Sequence, residues 1–231
     1  MKPMYSSEWF ETFAATVPQA IMEADLEGIT NLLPLERYPR LLDVGCGIGR
    51  IAEPLSSRGY AVTGVDINVE ALLMAQRRAA GPRYVALDQR HVGHMRWTFD
   101  GALVLWNSIG FVGRNADLDT LAGLAKSIRP GGKVLLDLYH PVWMQQNERP
   151  GERDQRGALV RRWMRDGRCF HEIEYAGGGI DDIQFDVYLP EEISDLAERA
   201  GLKPEEQMVL WQPDIRPSAD APRYQLVCVR P

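Results

Sequence analysis

The chain has 231 residues, of which 45% are hydrophobic and 25% are charged, and this composition is typical of one globular domain. Its formal net charge of −6 disfavours wholesale binding to nucleic-acid phosphates, although a local basic patch would escape that argument. The three cysteines lie far apart without a zinc-binding pattern, no apolar run approaches a membrane span, and the first residues lack the apolar core of a signal peptide. We therefore expect a cytoplasmic protein with reduced thiols that binds neither nucleic acid nor membrane.

Apolar runs alternate with amphipathic segments over the first 140 residues. Residues 7–34 are predicted to form one or two short helices, since Trp9, Phe10 and Phe13 lie at helical spacing. Strands then alternate with helices of ordinary length, which predicts an α/β fold with a mainly parallel, Rossmann-like sheet covered on both faces. The predicted strands are 40–45, 61–68, 83–88, 99–108 and 133–140, and the predicted helices are 50–60, 68–81 and 116–132.

The pattern changes after the fifth strand. Three strand-like runs, 158–164, 168–176 and 180–189, follow one another with a hairpin signal between the first two, which predicts a small antiparallel β-insertion at 150–189. A helix at 190–201 and strands at 206–212 and 223–230 complete a seven-stranded sheet whose last strand is antiparallel. We expect one domain over residues 1–231.

The insertion begins with a strongly basic run. Residues 149–168 contain seven arginines against three acids. One interpretation is a solvated, charged edge strand that blocks sheet-to-sheet aggregation. The alternatives are that the run recruits an anionic substrate or lines an oligomer contact.

A cluster of glycines follows the first strand, in the sequence "LLDVGCGIGR" at 41–50. Gly45, Gly47 and Gly49 form G-x-G-x-G, whereas a dinucleotide fingerprint needs a third glycine where this chain has Arg50. Asp43, two residues before the first glycine, would repel a pyrophosphate and suits a ligand that carries positive charge. The chain also lacks a P-loop.

These residues resemble motif I of the class I S-adenosylmethionine-dependent methyltransferases. Four later segments resemble the following motifs in the same order, and the likeness covers about residues 38–140 and 190–230. The segment "NSIGF" is similar to small-molecule methyltransferases, including the aminosugar N-methyltransferases, and departs from the "[ND]PP[YFW]" motif of methylases that act on nucleic acids and proteins. The later segments are "VTGVDIN", "YVALDQR", "FDGALVLWNSIGF" and "LAKSIRPGGKVLLDLY".

The resemblance implies S-adenosylmethionine as the methyl donor and S-adenosylhomocysteine as the product. Asp66 would hold the ribose hydroxyls, Asp88 would approach the adenine amino group and Asp43 would face the donor's ammonium. Arg50 would contact the donor carboxylate or merely open a helix. The aromatic pair in "YSSEW" would belong to a helical lid at residues 1–36, or would pack as an ordinary amphipathic helix. The implied cofactor-binding residues are Tyr5, Trp9, Asp43, Gly45, Cys46, Gly47, Gly49, Arg50, Asp66, Ile67, Asp88, Gln89 and Asn107.

The acceptor is less well defined by the sequence. Tyr139, His140 and His171 are the candidate catalytic residues, because either histidine could serve as a general base and Tyr139 follows the fifth strand. Transfer of an activated methyl group by in-line displacement requires no metal. The resemblance implies a small-molecule acceptor covered by the insertion, through which a homodimer could also form. The alternatives are a nucleic-acid or protein methyltransferase and a non-methylating protein that binds S-adenosylmethionine.

Overall fold

The computed structural model describes residues 5–14, 17–78, 80–95 and 98–231. Its helices are α1 (Ser7–Thr12), α2 (Gln19–Leu32), α3 (Ala52–Ser57), α4 (Val69–Arg78), α5 (Arg114–Ser127), α6 (Pro141–Gln146) and α7 (Pro190–Arg199), with a 3-10 helix at Gln89–His94. Its strands are β1 (Arg40–Val44), β2 (Ala61–Asp66), β3 (Arg83–Ala86), β4 (Phe99–Val104), β5 (Ile128–Tyr139), β6 (Arg149–Arg153), β7 (Leu159–Arg165), β8 (Arg168–Glu174), β9 (Ile180–Asp186), β10 (Lys203–Met208) and β11 (Arg223–Val229). The predicted helical lid comprises residues 1–36, of which residues 1–4, 15 and 16 lie outside the described part of the chain.

The predicted seven-stranded sheet is confirmed. Its strand order is β3-β2-β1-β4-β5-β11-β10, with β1 to β5 parallel and β11 antiparallel to both neighbours. All six residues of β4 are buried, as expected for a central strand covered by helices on both faces. The carboxyl ends of β1, β2, β3 and β4 therefore meet at one edge of the sheet, where ligands of open α/β folds bind.

Several boundaries differ from the sequence-based prediction. The predicted strand at 206–212 is wrong in its position, because β10 begins at Lys203 and ends at Met208, before Leu210 and Trp211 adopt positive φ. β4 ends at Val104 for a similar reason, since Trp106 has φ 54°. Conversely β5 begins at Ile128, because the segment with two glycines continues to pair with the end of the chain through Gly131 N–H and the carbonyl of Arg230.

The insertion after β5 is a second, four-stranded antiparallel sheet in the order β6-β7-β8-β9. It has one strand more than the three predicted runs, since the exposed residues of β6 also pair with β7. One face of this sheet is apolar and packs with α6 and with aromatic residues of α1 and the first sheet. No helix in the described part of the chain is long and apolar enough to cross a membrane.

Candidate functional site

The turn after β1 depends on three glycines. Gly45, Gly47 and Gly49 have φ values of 73°, 52° and 76°, in a region that residues with a Cβ rarely adopt. The amide of Gly45 donates to the carbonyl of Val65 over 2.8 Å, which fixes the turn against β2. A Cβ added to Gly45 would lie 2.5 Å from Oγ of Ser108, so the loop after β4 approaches the backbone too closely for a side chain.

Three aspartates at or just beyond the ends of β1, β2 and β3 line one cleft with this turn: Asp43, Asp66 and Asp88. The two carboxylate oxygens of Asp66 accept hydrogen bonds from the amides of Gly47 and Asn68, each over 2.8 Å. Burial raises the pKa of Asp66, and these amide bonds oppose that rise. The carboxylate thus links the glycine turn to the start of α4.

Asp43 is a buried carboxylate without a partner of its own. Its exposed fraction is 4%, and no hydrogen bond to its side chain forms within the described part of the chain. Burial, reinforced by the neighbouring charge of Asp66 and opposed by Arg50, raises the pKa of Asp43 to about 7. A buried acid in this condition is well suited to a cationic ligand, whose charge would favour the ionised form.

Asp88 is held by the helix that follows it. Its side chain accepts the amide hydrogen of Arg90, which caps the 3-10 helix, and it also pairs with the guanidinium of Arg90 over 2.6 Å. The hydrogen bond to Arg90 is the main reason that the pKa of Asp88 is lowered. The carboxylate therefore lines the cleft in its ionised form.

Aromatic side chains before and within α1 lie against the opposite side of the cleft. The ring centroids of Tyr5 and Trp9 are 3.9 Å apart, and both residues line the cleft together with Phe10. A Cβ added to Gly47 would lie 2.8 Å from the ring of Phe10, so the glycine turn and α1 are in close contact.

The start of α1 is hydrogen-bonded both to the main domain and to the insertion. Nδ2 of Asn68 donates to the carbonyl of Tyr5 over 2.9 Å, on the side of α4. On the other side, Oγ of Ser6 donates to Asp181 of β9 over 2.9 Å. The start of α1 therefore links the main domain to the insertion.

The cleft continues toward the insertion as an aromatic space. Phe111 and Tyr139 line it, and the ring of Phe111 lies 5.7 Å from that of Tyr5. Phe185 of β9 packs behind both, at centroid distances of 5.2 Å from Phe111 and 6.2 Å from Tyr139. Burial raises the pKa of Tyr139, so its phenol is protonated near neutral pH and can donate a hydrogen bond.

Trp106, which the sequence analysis did not single out, is clamped at the end of β4. The guanidinium carbon of Arg223 lies 4.1 Å from its ring centroid and that of Arg50 lies 4.7 Å away. The indole N–H donates to Asp25 and the backbone N–H donates to Asp137, each over 2.9 Å. These contacts explain how the chain sustains the positive φ of Trp106 beside the cleft.

The clamp is completed by buried charges. Arg223 pairs with Asp25 at 3.2 Å and with Asp137 at 2.9 Å, and the two carboxylate side chains are 2% and 1% exposed. Asp25 also accepts the indole N–H of Trp211, and Asp137 accepts from Gln225. Only the position of Trp106, directly before the predicted Asn107, could have drawn attention to this network from the sequence.

The structure brings most of the predicted site residues to this cleft. Those that line it are Tyr5, Trp9, Asp43, Gly45, Cys46, Gly47, Arg50, Asp66, Ile67, Asp88, Gln89 and Tyr139. Gly49, Asn107, His140 and His171 are not among the lining residues. Gly49 faces Tyr84. The side-chain amide of Asn107 donates to the carbonyl of Ile109 and accepts a hydrogen bond from the backbone N–H of Tyr139, and these two bonds fix the loop after β4.

Both histidines lie away from the cleft lining. His140 is buried, and its Nδ1 has no hydrogen-bond partner among the described residues. Its ring packs edge-on against Tyr224, and burial lowers its pKa. His171 is on β8, where burial and then the charges of Arg162 and Arg149 lower its pKa to about 4. Their assignment as a general base stays a prediction, and their positions do not favour it. Within the described ranges, no group of three or more His, Cys, Asp or Glu could hold a metal.

A family model described as a methyltransferase domain matches residues 41–132, which include the glycine turn and all three cleft aspartates. Residues 41–132 are therefore similar to a methyltransferase domain. The matched part of the chain runs from β1 into β5, so it contains the strand ends that form one side of the cleft.

The curated relatives of the chain carry names that describe different reactions. It is 29% identical over 115 residues to a malonyl-[acyl-carrier protein] O-methyltransferase of Salmonella typhimurium, covering 50% of this chain and 45% of that protein. It is 31% identical over 121 residues to an S-adenosyl-L-methionine-dependent Diels-Alderase of Talaromyces variabilis, covering 48% and 39%. The chain thus spans about half the length, or less, of these curated relatives.

Solved structures share the fold of this chain at low sequence identity. S-adenosylmethionine-bound CalS10, an amino pentose methyltransferase from Micromonospora echinaspora, superposes with a TM-score of 0.73 over all of both chains at 21% identity. At this identity the likeness shows that the chain shares the fold over its whole length.

Proposed function

We propose that the protein transfers the methyl group of S-adenosylmethionine to an oxygen or nitrogen atom of a small-molecule acceptor. The observation that carries this proposal is the placement of Asp43, Asp66 and Asp88 around one cleft with the glycine turn. Each has a complementary group on the donor: the ammonium of the tail, the ribose hydroxyls and the adenine amino group. The named relatives that methylate small molecules support the same conclusion.

The donor side of the cleft accounts for binding and orientation. To accept hydrogen bonds from the two ribose hydroxyls, Asp66 would use the lone pairs that its present hydrogen bonds leave free, or would give up one or both of the bonds from the backbone amides. The sulfonium would lie toward the aromatic faces of Tyr5 and Trp9, which attract a cation. Alignment of a bound donor and acceptor can supply about 7–11 kcal/mol of the barrier to such a displacement.

The acceptor would occupy the aromatic space between α1 and the insertion. Its walls include Phe111 and Tyr139, and no carboxylate other than the three donor-side aspartates lines the cleft within the described residues. An apolar, aromatic-lined space favours an acceptor with a flat or apolar body. The phenol of Tyr139 could orient the accepting atom by hydrogen bonding.

Calorimetric titration with S-adenosylhomocysteine tests the donor site. We expect Asp66→Ala to weaken binding by about 2–4 kcal/mol, because charge-assisted hydrogen bonds are lost. Asp119→Ala, on the exposed face of α5, is the matched control and should bind as the wild type does. Melting temperatures of both variants separate a loss of binding from a loss of folding. Equal affinity in all three proteins would refute the role of Asp66.

A second candidate function is a reaction in which S-adenosylmethionine is bound and its methyl group is retained. The similarity to a protein named as an S-adenosyl-L-methionine-dependent Diels-Alderase favours including it. Incubation with methyl-labelled donor and a panel of phenols, amines and carboxylic acids distinguishes the two. Acceptor-dependent formation of S-adenosylhomocysteine supports methyl transfer, whereas acceptor conversion without release of that product supports the second function. Net charge −6 and the absence of a "PP" motif weigh against a nucleic-acid or protein acceptor.

A further inference from the structure

Three basic side chains form a row across the insertion. Arg149 of β6 lies directly opposite Arg162 of β7, and Arg162 lies directly opposite His171 of β8. Side chains of directly opposed residues in antiparallel strands project from the same face of the sheet. Two arginines opposed in this way repel each other, so their juxtaposition is unfavourable unless a negative charge balances them.

The row lies on the face of the insertion that turns toward the cleft. The neighbouring row on this face contains Cys169 and Phe185, which are directly opposed on β8 and β9. The ring of Phe185 packs on those of Phe111 and Tyr139, which line the cleft. The positive charge of Arg162 also acts on Tyr139, which places the row beside the acceptor end.

Within the described part of the chain, no carboxylate lies within 4.0 Å of the guanidinium nitrogens of Arg162 or Arg149. Nη2 of Arg162 donates to the carbonyl of Asn147 over 2.7 Å, while its Nε is buried and has no hydrogen-bond partner. Other arginines of the same sheet are paired, such as Arg161 with Glu172 and Arg168 with Asp186. A partly buried cation with an unused donor is costly, and an anion would remove that cost.

Two carboxylates near the row accept hydrogen bonds from other groups. Asp181, on the same face of β9, accepts hydrogen bonds from Ser6 and from the hydroxyl of Tyr175 over 2.7 Å. Glu148, next to Arg149 in sequence, accepts the amide hydrogen of Met164 over 2.7 Å. Neither carboxylate forms an ion pair with Arg149 or Arg162 within the described residues, although the charge of Asp181 acts on His171.

We propose that the row of Arg149, Arg162 and His171 binds an anionic group, a carboxylate or a phosphate, carried by the methyl acceptor. This inference rests on the proposed function, since it describes the substrate of the same cleft. The guanidinium of Arg162 keeps an unused Nε–H beside the Nη2 that donates to Asn147, and Arg149 adds charge from the exposed end. His171 contributes a neutral N–H donor at physiological pH. The acceptor would then have its apolar body between Phe111 and Tyr139 and its anionic group under the insertion.

Calorimetric titration with simple anions tests the row without knowledge of the acceptor. The full chain, with and without S-adenosylhomocysteine, is titrated with pyrophosphate, inorganic phosphate and acetate at constant ionic strength. We expect saturable binding to the wild type and a loss of at least about tenfold in affinity for Arg162→Gln, as for one charge-assisted contact. Arg165→Gln is the matched control, because Arg165 is on the same strand, is exposed and pairs with Asp166. Preference among the probes distinguishes a phosphate-bearing from a carboxylate-bearing acceptor.

Two results would overturn the inference: no saturable binding of any probe by the wild type, or equal anion affinity in the wild type and Arg162→Gln. Circular dichroism shows whether Arg162→Gln folds; if it does not, Arg162→Lys keeps the charge and should still lose part of the affinity because it lacks the fork. Affinity for S-adenosylhomocysteine, measured in the same preparations, reports on the donor site alone. A failure of the proposed function would therefore appear there, and a failure of the anion site would appear only with the anions.

Discussion

The protonation of Asp43 should make donor binding depend on pH. Its pKa is raised to about 7 because the carboxylate is buried beside Asp66, and the proposed contact with the donor's ammonium would require the ionised form. Affinity should therefore be fully developed above the pKa and should fall as the pH falls through it. For a pKa of 7, about ten elevenths of the carboxylates are ionised at pH 8 and about one eleventh at pH 6. We expect S-adenosylhomocysteine to bind about tenfold more weakly at pH 6 than at pH 8.

Isothermal titration calorimetry can measure both the affinity and the proton that accompanies it. At pH 7 about half of the sites must lose a proton on binding, so the apparent enthalpy should change with the ionisation enthalpy of the buffer. Asp43→Asn should bind more weakly at pH 8, with no buffer dependence and little change between pH 6 and 8. The same affinity at both pH values for the wild type, or an unaltered pH dependence in Asp43→Asn, would refute the reasoning.

Further variants test three other parts of the structure. Arg223→Met leaves two buried carboxylates without their cation and should lower the free energy of unfolding by about 3–5 kcal/mol, whereas Arg165→Met, from an exposed ion pair, should cost less than about 1 kcal/mol; urea titration compares them. Gly47→Ala should weaken S-adenosylhomocysteine binding and lower the melting temperature, since its φ is 52° and the new Cβ would meet the ring of Phe10. We expect His140→Gln and His171→Gln to keep kcat because neither side chain lines the cleft, whereas His171→Gln should raise the KM for an anionic acceptor if His171 donates to its anionic group; lost kcat with intact donor affinity would restore the base assignment.

The central sheet could be predicted because its signals are local. Each core strand is a short apolar run, and turn or capping residues separate it from the next helix; Asn68, for example, accepts the amide hydrogen of Ala71 at the start of α4. The misplaced β10 and the unpredicted β6 had no such signal. β6 is exposed and polar, and it is a strand only because β7 offers it a partner. Pairing between segments decides such edges, and a single sequence does not encode it visibly.

Within the cleft too, residues that carry a local sequence signal could be predicted, whereas contacts between distant segments could not. Asp43 and Asp66 could be located from the sequence because residues at strand ends meet at one edge of a parallel sheet. The clamp on Trp106 joins residues that are 31 to 198 positions apart, from the bond between its backbone N–H and Asp137 to the pair of Arg223 with Asp25. The row from Arg149 to His171 likewise exists only once the register of β6, β7 and β8 is known.

Similarity to the family therefore carries unequal weight on the two sides of the cleft. The residues matched by the family model, 41–132, include Asp43, Asp66 and Asp88, but they exclude Tyr139, α1 and the whole insertion. Relatives with different named reactions match this chain over about half its length. It follows that the donor site is the part on which a family argument can rest, while the acceptor must be inferred from the contacts of this chain. The guanidinium of Arg162, which has no carboxylate partner among the described residues, is the most specific of those features, because an aromatic wall tolerates many acceptors and such a guanidinium favours anionic ones.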